Sequence, residues 1–163
     1  MWKAAEGAMS EASFRAVTGA DVGTLLEFMR ALYEEDGSTP LDPDAAEAAL
    51  RRLLDAPEHG MVWLIEGHAK PVGYLVLTWG YSLEFHGRDA FIDELYVAPS
   101  ARGQGLGRQA VEWAEAVCRA QGAGAMHLEV ELDNERAYAL YRRRGFAERG
   151  LRLMTKRLDT VAG

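Results

Sequence analysis

Seven consecutive residues, Arg102-Gly103-Gln104-Gly105-Leu106-Gly107-Arg108, have the composition of an anion-binding turn. Glycine at alternate positions lets main-chain N–H groups approach a ligand closely. A helix opening at Leu106 would add its free amides and the positive end of its dipole at the same place. That chemistry suits a diphosphate, with Arg102 and Arg108 bracketing the turn as further positive charge. Two better-known glycine turns fail in detail. A Walker-type loop requires Gly-Lys-Ser/Thr, whereas Gly107 is followed by Arg108-Gln109. The dinucleotide fingerprint requires glycine at position 108 and a turn directly after its strand, but Ala98-Pro99-Ser100-Ala101 intervene.

The other residues able to do chemistry fall into three groups. Asp93 and Glu94 close a strand-like run and, by simple alternation, end on opposite faces, so that at least one reaches a neighbouring cleft. Asn134, Tyr138 and Tyr141 share a helix face. Glu34, Glu35 and Asp36 form a run of carboxylates suited to a cation, though such runs are also ordinary solvated surface. Trp79, Tyr81 and Glu84, near the end of another strand, are further pocket candidates beside their packing role. His59, His68, His86 and His127 never fall at the i, i+4 spacing of a helical metal site, and no metal is expected. Cys118 is the only cysteine, which excludes an internal disulfide and a thiolate zinc cluster and reads as a core thiol.

Alternating strands and helices position these groups. Residues 13–17 form a weak first strand. Thr18 with Asp21 starts a helix whose apolar positions Val22, Leu25, Leu26, Met29, Leu32 and Tyr33 run to residue 33 or 34. Asp42 caps a second helix, with Pro43 at its first position and Pro57 ending it. Residues 61–65, 72–83 and 90–97 are rich in β-branched and aromatic side chains and read as three sequential antiparallel strands. A helix spans residues 106–121, a strand 126–132, and a last helix runs from the Asn134 cap to Arg144 with Gly145 at its end. Closing strands lie around residues 151–158.

The chain is 163 residues long, 48% hydrophobic and 26% charged, which fits one domain over residues 1–163 with residues 1–12 as a flexible extension. Eighteen basic and twenty-five acidic residues give a net charge of −7, which disfavours nucleic acid and anionic membranes as partners and suits a cationic or neutral substrate. No apolar run is long enough for a membrane span or a signal peptide, so the expected location is the cytoplasm.

Taken in order, these motifs resemble the GNAT superfamily of N-acetyltransferases. Arg102, Gly105 and Gly107 match its coenzyme A signature in register. Asp93-Glu94-Leu95-Tyr96-Val97-Ala98-Pro99 is similar to its fourth strand, and Asn134-Glu135-Arg136-Ala137-Tyr138-Ala139-Leu140-Tyr141 to its second motif. The resemblance implies an α/β (α+β) fold: a mixed, mostly antiparallel sheet of about seven strands flanked by four helices, with strands four and five parallel but splayed.

It further implies an acetyl-CoA cofactor whose pantetheine arm enters that splay. Main-chain groups of Leu95 and Val97, beside Tyr96, would bond the arm, and one of these amides would stabilise an oxyanion. Residues Arg102, Gly103, Gln104, Gly105, Leu106, Gly107 and Arg108 would hold the diphosphate. Asn134, Ala137, Tyr138 and Tyr141 would line the other side, with Tyr141 as the acid that protonates the leaving thiolate. Asp93 and Glu94 are the candidates for recognising and deprotonating an amine, and the sequence does not separate them from each other or from a water chain. Tyr33, Glu34, Glu35, Trp79, Tyr81 and Glu84 are the candidate acceptor-binding residues.

The implied reaction is direct transfer of acetyl to a primary amine of a small molecule: a polyamine, amino acid derivative or aminoglycoside. The alternatives are acetylation of protein termini or lysines, and a non-catalytic coenzyme A-binding regulatory module. Relatives often pair, so a homodimer is an expectation of the resemblance rather than of the residues.

Overall fold

The computed structural model describes residues 12–37, 40–68 and 70–158. The extension expected over residues 1–12 therefore lies, apart from Ala12, outside the described residues. The chain runs through β1 (Ser13–Ala16), α1 (Val22–Glu35), α2 (Pro43–Asp55), β2 (Gly60–Gly67), β3 (Lys70–Ser82), β4 (Gly87–Val97), α3 (Leu106–Ala120), β5 (Met126–Leu128) and α4 (Glu135–Arg143).

The helices begin where the sequence places their caps. Asp21 accepts from the Thr18 amide at 2.9 Å and its hydroxyl at 2.8 Å, just ahead of α1. The Asp42 carboxylate accepts from the amides of Asp44 and Ala45, both at 3.1 Å, with Pro43 at the first helical position of α2. Gly145, with φ of +90°, follows the end of α4 in the left-handed conformation that a helix C-terminus favours.

The five strands line up in the order β1-β2-β3-β4-β5, antiparallel except for the parallel β4–β5 pair. Both faces are covered. On one, Val22, Leu25 and Leu50 of α1 and α2 pack with Val62, Leu64, Tyr74, Val76 and Tyr96. On the other, Ala114 and Cys118 of α3 pack with Trp63, Leu75, Leu77, Ala90 and Ile92. Successive β3 residues thus serve opposite cores, which is why a strand buried on both faces reads as a continuous apolar run. Cys118 is buried in the second core, where lack of water pushes its thiol up to about 11.

One irregularity in β4 corrects the expectation of opposite faces for Asp93 and Glu94. Val76 pairs with Glu94 but Leu77 pairs with Ile92, so Asp93 is an extra residue, a β-bulge. The bulge resets the alternation: Ala90, Ile92 and Leu95 face the α3 side, while Tyr96 faces α1 and α2. Asp93 and Glu94 consequently fall on the same side, toward α1.

The strand count also differs from the expectation: five strands are present among the described residues, not about seven. β5 ends at Leu128 rather than residue 132, because the parallel ladder stops there and, among the described residues, no strand lies beside those that follow. Residues 151–158 form no strand. Leu151, Leu153 and Met154 are 76%, 72% and 88% exposed, so no buried face holds them, and a three-residue β5 offers few ladder bonds to recruit them.

At Gly73 the neighbouring strand leaves no room for a side chain: a Cβ there would stand 2.1 Å from the Tyr96 carbonyl oxygen, a backbone atom that cannot step aside. The variant Gly73→Ala should lose about 2–3 kcal/mol in denaturant unfolding; a midpoint equal to the parent's would show that the two strands can separate there at no cost.

Candidate functional site

The site begins where the β4–β5 ladder stops. Pairing runs from Ala90 and Met126 to Ile92 and Leu128, and the next β4 residue is the Asp93 bulge. Beyond it β4 continues to Val97 without β5. The Ala98 amide donates to the Val72 carbonyl at 2.8 Å, so alternate residues Tyr96 and Glu94 direct their main chain toward β3. By the same alternation, the main-chain groups of Leu95 and Val97 face the gap.

The glycine turn lies at the end of this edge. Gly103 and Gly105 have φ of +82° and +79°, a region in which a side chain is strained, and Gly105 is the N-cap of α3. Gly105 has no side chain to cap α3, which, among the described residues, leaves the first amides and the dipole of that helix available to a ligand. At Gly107 an added Cβ would stand 3.5 Å from Leu140 Cδ2, which places α4 directly beside the turn. These features fit a diphosphate held by main-chain amides.

The two arginines bracketing the turn are otherwise engaged. Arg102 donates to the Glu35 carboxylate and to the Val97 carbonyl, at 2.6 and 2.7 Å, and lies over the Tyr96 ring at 5.7 Å. Arg108 donates to Glu112 at 2.9 Å, one helical turn on. Arg102 thus ties the turn to the end of α1, whereas the sequence suggested only a charge for phosphate.

On the α1 side of the gap the structure gathers acidic groups. Glu94 accepts from the Tyr33 hydroxyl at 2.7 Å on Oε1 and from the Tyr74 hydroxyl at 2.8 Å on Oε2. Burial raises the Glu94 carboxyl, the two phenols lower it, and the charges of Asp93 and Asp36 raise it again, with a net rise. Asp93 is open to solvent, yet the surrounding protein withholds enough water to raise its carboxyl as well. Asp36 is raised by burial and by the charges of Glu131 and Glu35, which sets the chain after β5 close to the end of α1. Tyr74, Asp36 and Glu131 complete the cluster. Tyr74 and Glu131 carry no sequence signal: Tyr74 reads as one aromatic in an apolar strand, 20 residues from its partner.

Around α4, Asn134 Oδ1 accepts from the Ala137 amide at 3.0 Å and so is committed to capping. Tyr141 is half-buried, its ring edge-on to Phe146 at 5.7 Å, and burial raises its phenol; Tyr138 is 38% exposed. Arg144 bridges from the end of α4 to Glu112 and Glu115 of α3, both at 3.2 Å.

Of the acceptor candidates, Tyr33 and Glu35 join the acidic cluster, and Glu34 adjoins them at the end of α1. Trp79, Tyr81 and Glu84 do not. Trp79 packs against the α3-side core beneath Arg88. Tyr81 is 77% exposed, and Glu84 pairs with Arg149. They lie toward the β3–β4 turn, and Trp79 serves the opposite face of the sheet from Glu94.

The chain is similar to known acetyltransferases. A model of the "Acetyltransferase (GNAT) family" matches residues 25–146. The mycothiol acetyltransferase of Jonesia denitrificans is 39% identical over 92 residues, 56% of this chain and 28% of that protein. The aminoalkylphosphonate N-acetyltransferase of Salmonella typhimurium is 32% identical over 96 residues, 59% of this chain and 61% of that protein. The chain spans 28% to 54% of the length of the Jonesia protein and three other curated relatives. Among solved structures, an integron cassette protein from the mobile metagenome of Cole Harbour Salt Marsh is 36% identical and superposes with a TM-score of 0.79, covering 89% of this chain and 90% of that one.

The raised carboxyls have a cost in stability. A carboxyl raised in the folded state favours folding while protonated, and that contribution disappears as pH rises from the unfolded value, about 4 for Asp, through the folded one. Replacement Asp93→Asn should therefore raise the melting temperature at pH 7.5 and leave it nearly unchanged at pH 4. Equal shifts at both pH values in a thermal melt would show that the Asp93 charge is not destabilising.

Proposed function

The chain belongs to the acetyltransferase (GNAT) family, and from that premise we propose that it transfers an acetyl group from acetyl-CoA to a primary amine of a small molecule within a ternary complex. The observation that carries this reading is a conjunction. An uncapped helix start behind two positive-φ glycines adjoins an unladdered strand edge, and an acidic wall stands beside both.

The main-chain amides from Gly103 to Arg108 would take the diphosphate, and the Leu95 and Val97 main chain the pantetheine arm. Bound there, acetyl-CoA supplies a thioester carbonyl. The Leu95 and Val97 amides are the donors able to stabilise negative charge developing on its oxygen. Glu35, Asp36, Asp93 and Glu94 attract an ammonium group. Because an alkyl amine has a reference pKa near 10.4, that ammonium must lose a proton before its nitrogen can attack. Glu94 is the better placed of the two β4 carboxylates to accept it, being enclosed and held by two phenols, with Asp93 beside it. Tyr141 returns a proton to the leaving sulfur at the α4 side.

The acidic wall favours a cationic small molecule over a neutral one. The names of the Salmonella and Jonesia relatives support a small-molecule acceptor, while that of a Bacillus subtilis relative, a putative ribosomal protein bS18 alanine N-acetyltransferase, supports the alternative of a protein terminus.

A panel of primary amines and short peptides, assayed for coenzyme A release, tests the reading. Transfer to small amines is expected; release with peptides alone would replace the acceptor class, and no heat with acetyl-CoA in calorimetry would remove the assignment. Tyr141→Phe should lower turnover about 10²-fold while leaving coenzyme A affinity nearly unchanged. Gly105→Ala, forced into a left-handed conformation costing about 1–2 kcal/mol, should weaken acetyl-CoA binding about tenfold. Full activity in the first variant, or full affinity in the second, would contradict the role given to that residue.

A further inference from the structure

The Glu94 carboxylate poses a physical problem that the proposed reaction does not by itself solve. It is enclosed between the sheet and α1, and the charged or titratable groups that face it are Tyr33 from α1, Tyr74 from β3, Asp93 on its own strand, and Asp36 just beyond α1. Two of these are carboxylates. Burial and two like charges all favour a neutral carboxyl, and a neutral carboxyl cannot accept a proton from an ammonium. Among the described residues only the phenols work in the other direction, and they occupy both oxygens, one each.

Resting on the function proposed above, we propose that Tyr33 and Tyr74 are positioning residues, a phenol clamp that favours the ionised form of Glu94 and aims it so that it can take the proton of the acceptor ammonium. In that step the ammonium N–H bond breaks, its electron pair remains on nitrogen, and the proton passes to a Glu94 oxygen. Each carboxylate oxygen has two acceptor sites, so a bond from a phenol leaves a second site open. The clamp also fixes direction. Tyr74 is fully buried on the central strand and Tyr33 stands on the first helix, so the carboxylate is gripped from two elements that the core itself holds in place.

The phenols themselves do not titrate in this range, since burial and the Glu94 charge raise both further above the ordinary tyrosine value. They remain donors throughout. This separates a clamp from a relay in which a tyrosine would have to lose its proton.

Removing one charge-assisted donor should move the protonation of Glu94 upward by about one pH unit. The test is Tyr33→Phe, a half-buried position where the ring can stay, with Tyr74→Phe as the second variant. For an amine that supports coenzyme A release, the acid limb of kcat in Tyr33→Phe should move about one unit higher, with turnover recovered at higher pH. A lower melting temperature or a higher KM without movement of the limb would mean that the hydroxyl is structural only, and would overturn the proposal.

A readout independent of turnover uses 13C-glutamate-labelled protein, with the Glu94 carboxyl identified by its loss in Glu94→Gln. Its titration should lie about one unit higher in Tyr33→Phe than in the parent. An unmoved titration would overturn the clamp even if no acceptor is found. Absence of coenzyme A release with every amine would instead count against the proposed function, so the two failures are distinguishable. If Tyr74→Phe does not fold, Tyr33→Phe carries the test alone.

Discussion

The structure depends on one break in a ladder. A parallel pair of strands normally continues until one of them ends, because each lost bond leaves a donor and an acceptor unpaired. Here β4 and β5 part at Ile92 and Leu128 while β4 still has five residues to run. An extra residue at Asp93 lets β4 twist away without losing its pairing to β3, which is kept through Val97. The result, among the described residues, is a sheet bonded along one side of β4 and, beyond Ile92, open on the other. An open edge of this kind is costly in a plain domain and useful only if something else bonds to it.

The same bulge determines the chemistry on the neighbouring face. By shifting the alternation it puts Asp93 and Glu94 on one side, against α1, where Tyr33 and Tyr74 meet Glu94 and where Asp36 and Glu35 stand nearby. Carboxylates are thereby concentrated at the mouth of the gap. Arg102 ties this wall to the glycine turn by bonding Glu35 and the Val97 carbonyl at once, so the end of α1, the end of β4 and the start of α3 meet through one guanidinium. Exposed ion pairs are individually weak, but a planar donor shared between a side chain and the main chain limits how far the three can move apart.

Much of the fold was legible because its signals are local. Asp42 ahead of Pro43 and Asn134 three residues before Ala137 each specify a helix start through bonds made within a few residues, the glycines before Leu106 mark another by their left-handed backbone, and each is found where expected. The apolar runs of β2 and β3 announce strands covered on both faces. The final segment failed for the opposite reason. Leu151 and Leu153 alternate as a strand should, but alternation supplies no partner, and the short β5 does not provide one.

The amino-acid sequence by itself determined the helix starts, the central strands, the glycine turn and the identity of the family, since these rest on spacings that a chain carries before it folds. Only the tertiary structure decided which carboxylates share a face, that Tyr74 belongs with Glu94, that Arg102 is bonded to Glu35, and that Trp79, Tyr81 and Glu84 lie elsewhere. The physical reason is that one inserted residue in β4 inverts the face of those on one side of it, and an insertion is visible only against the strand it is paired with.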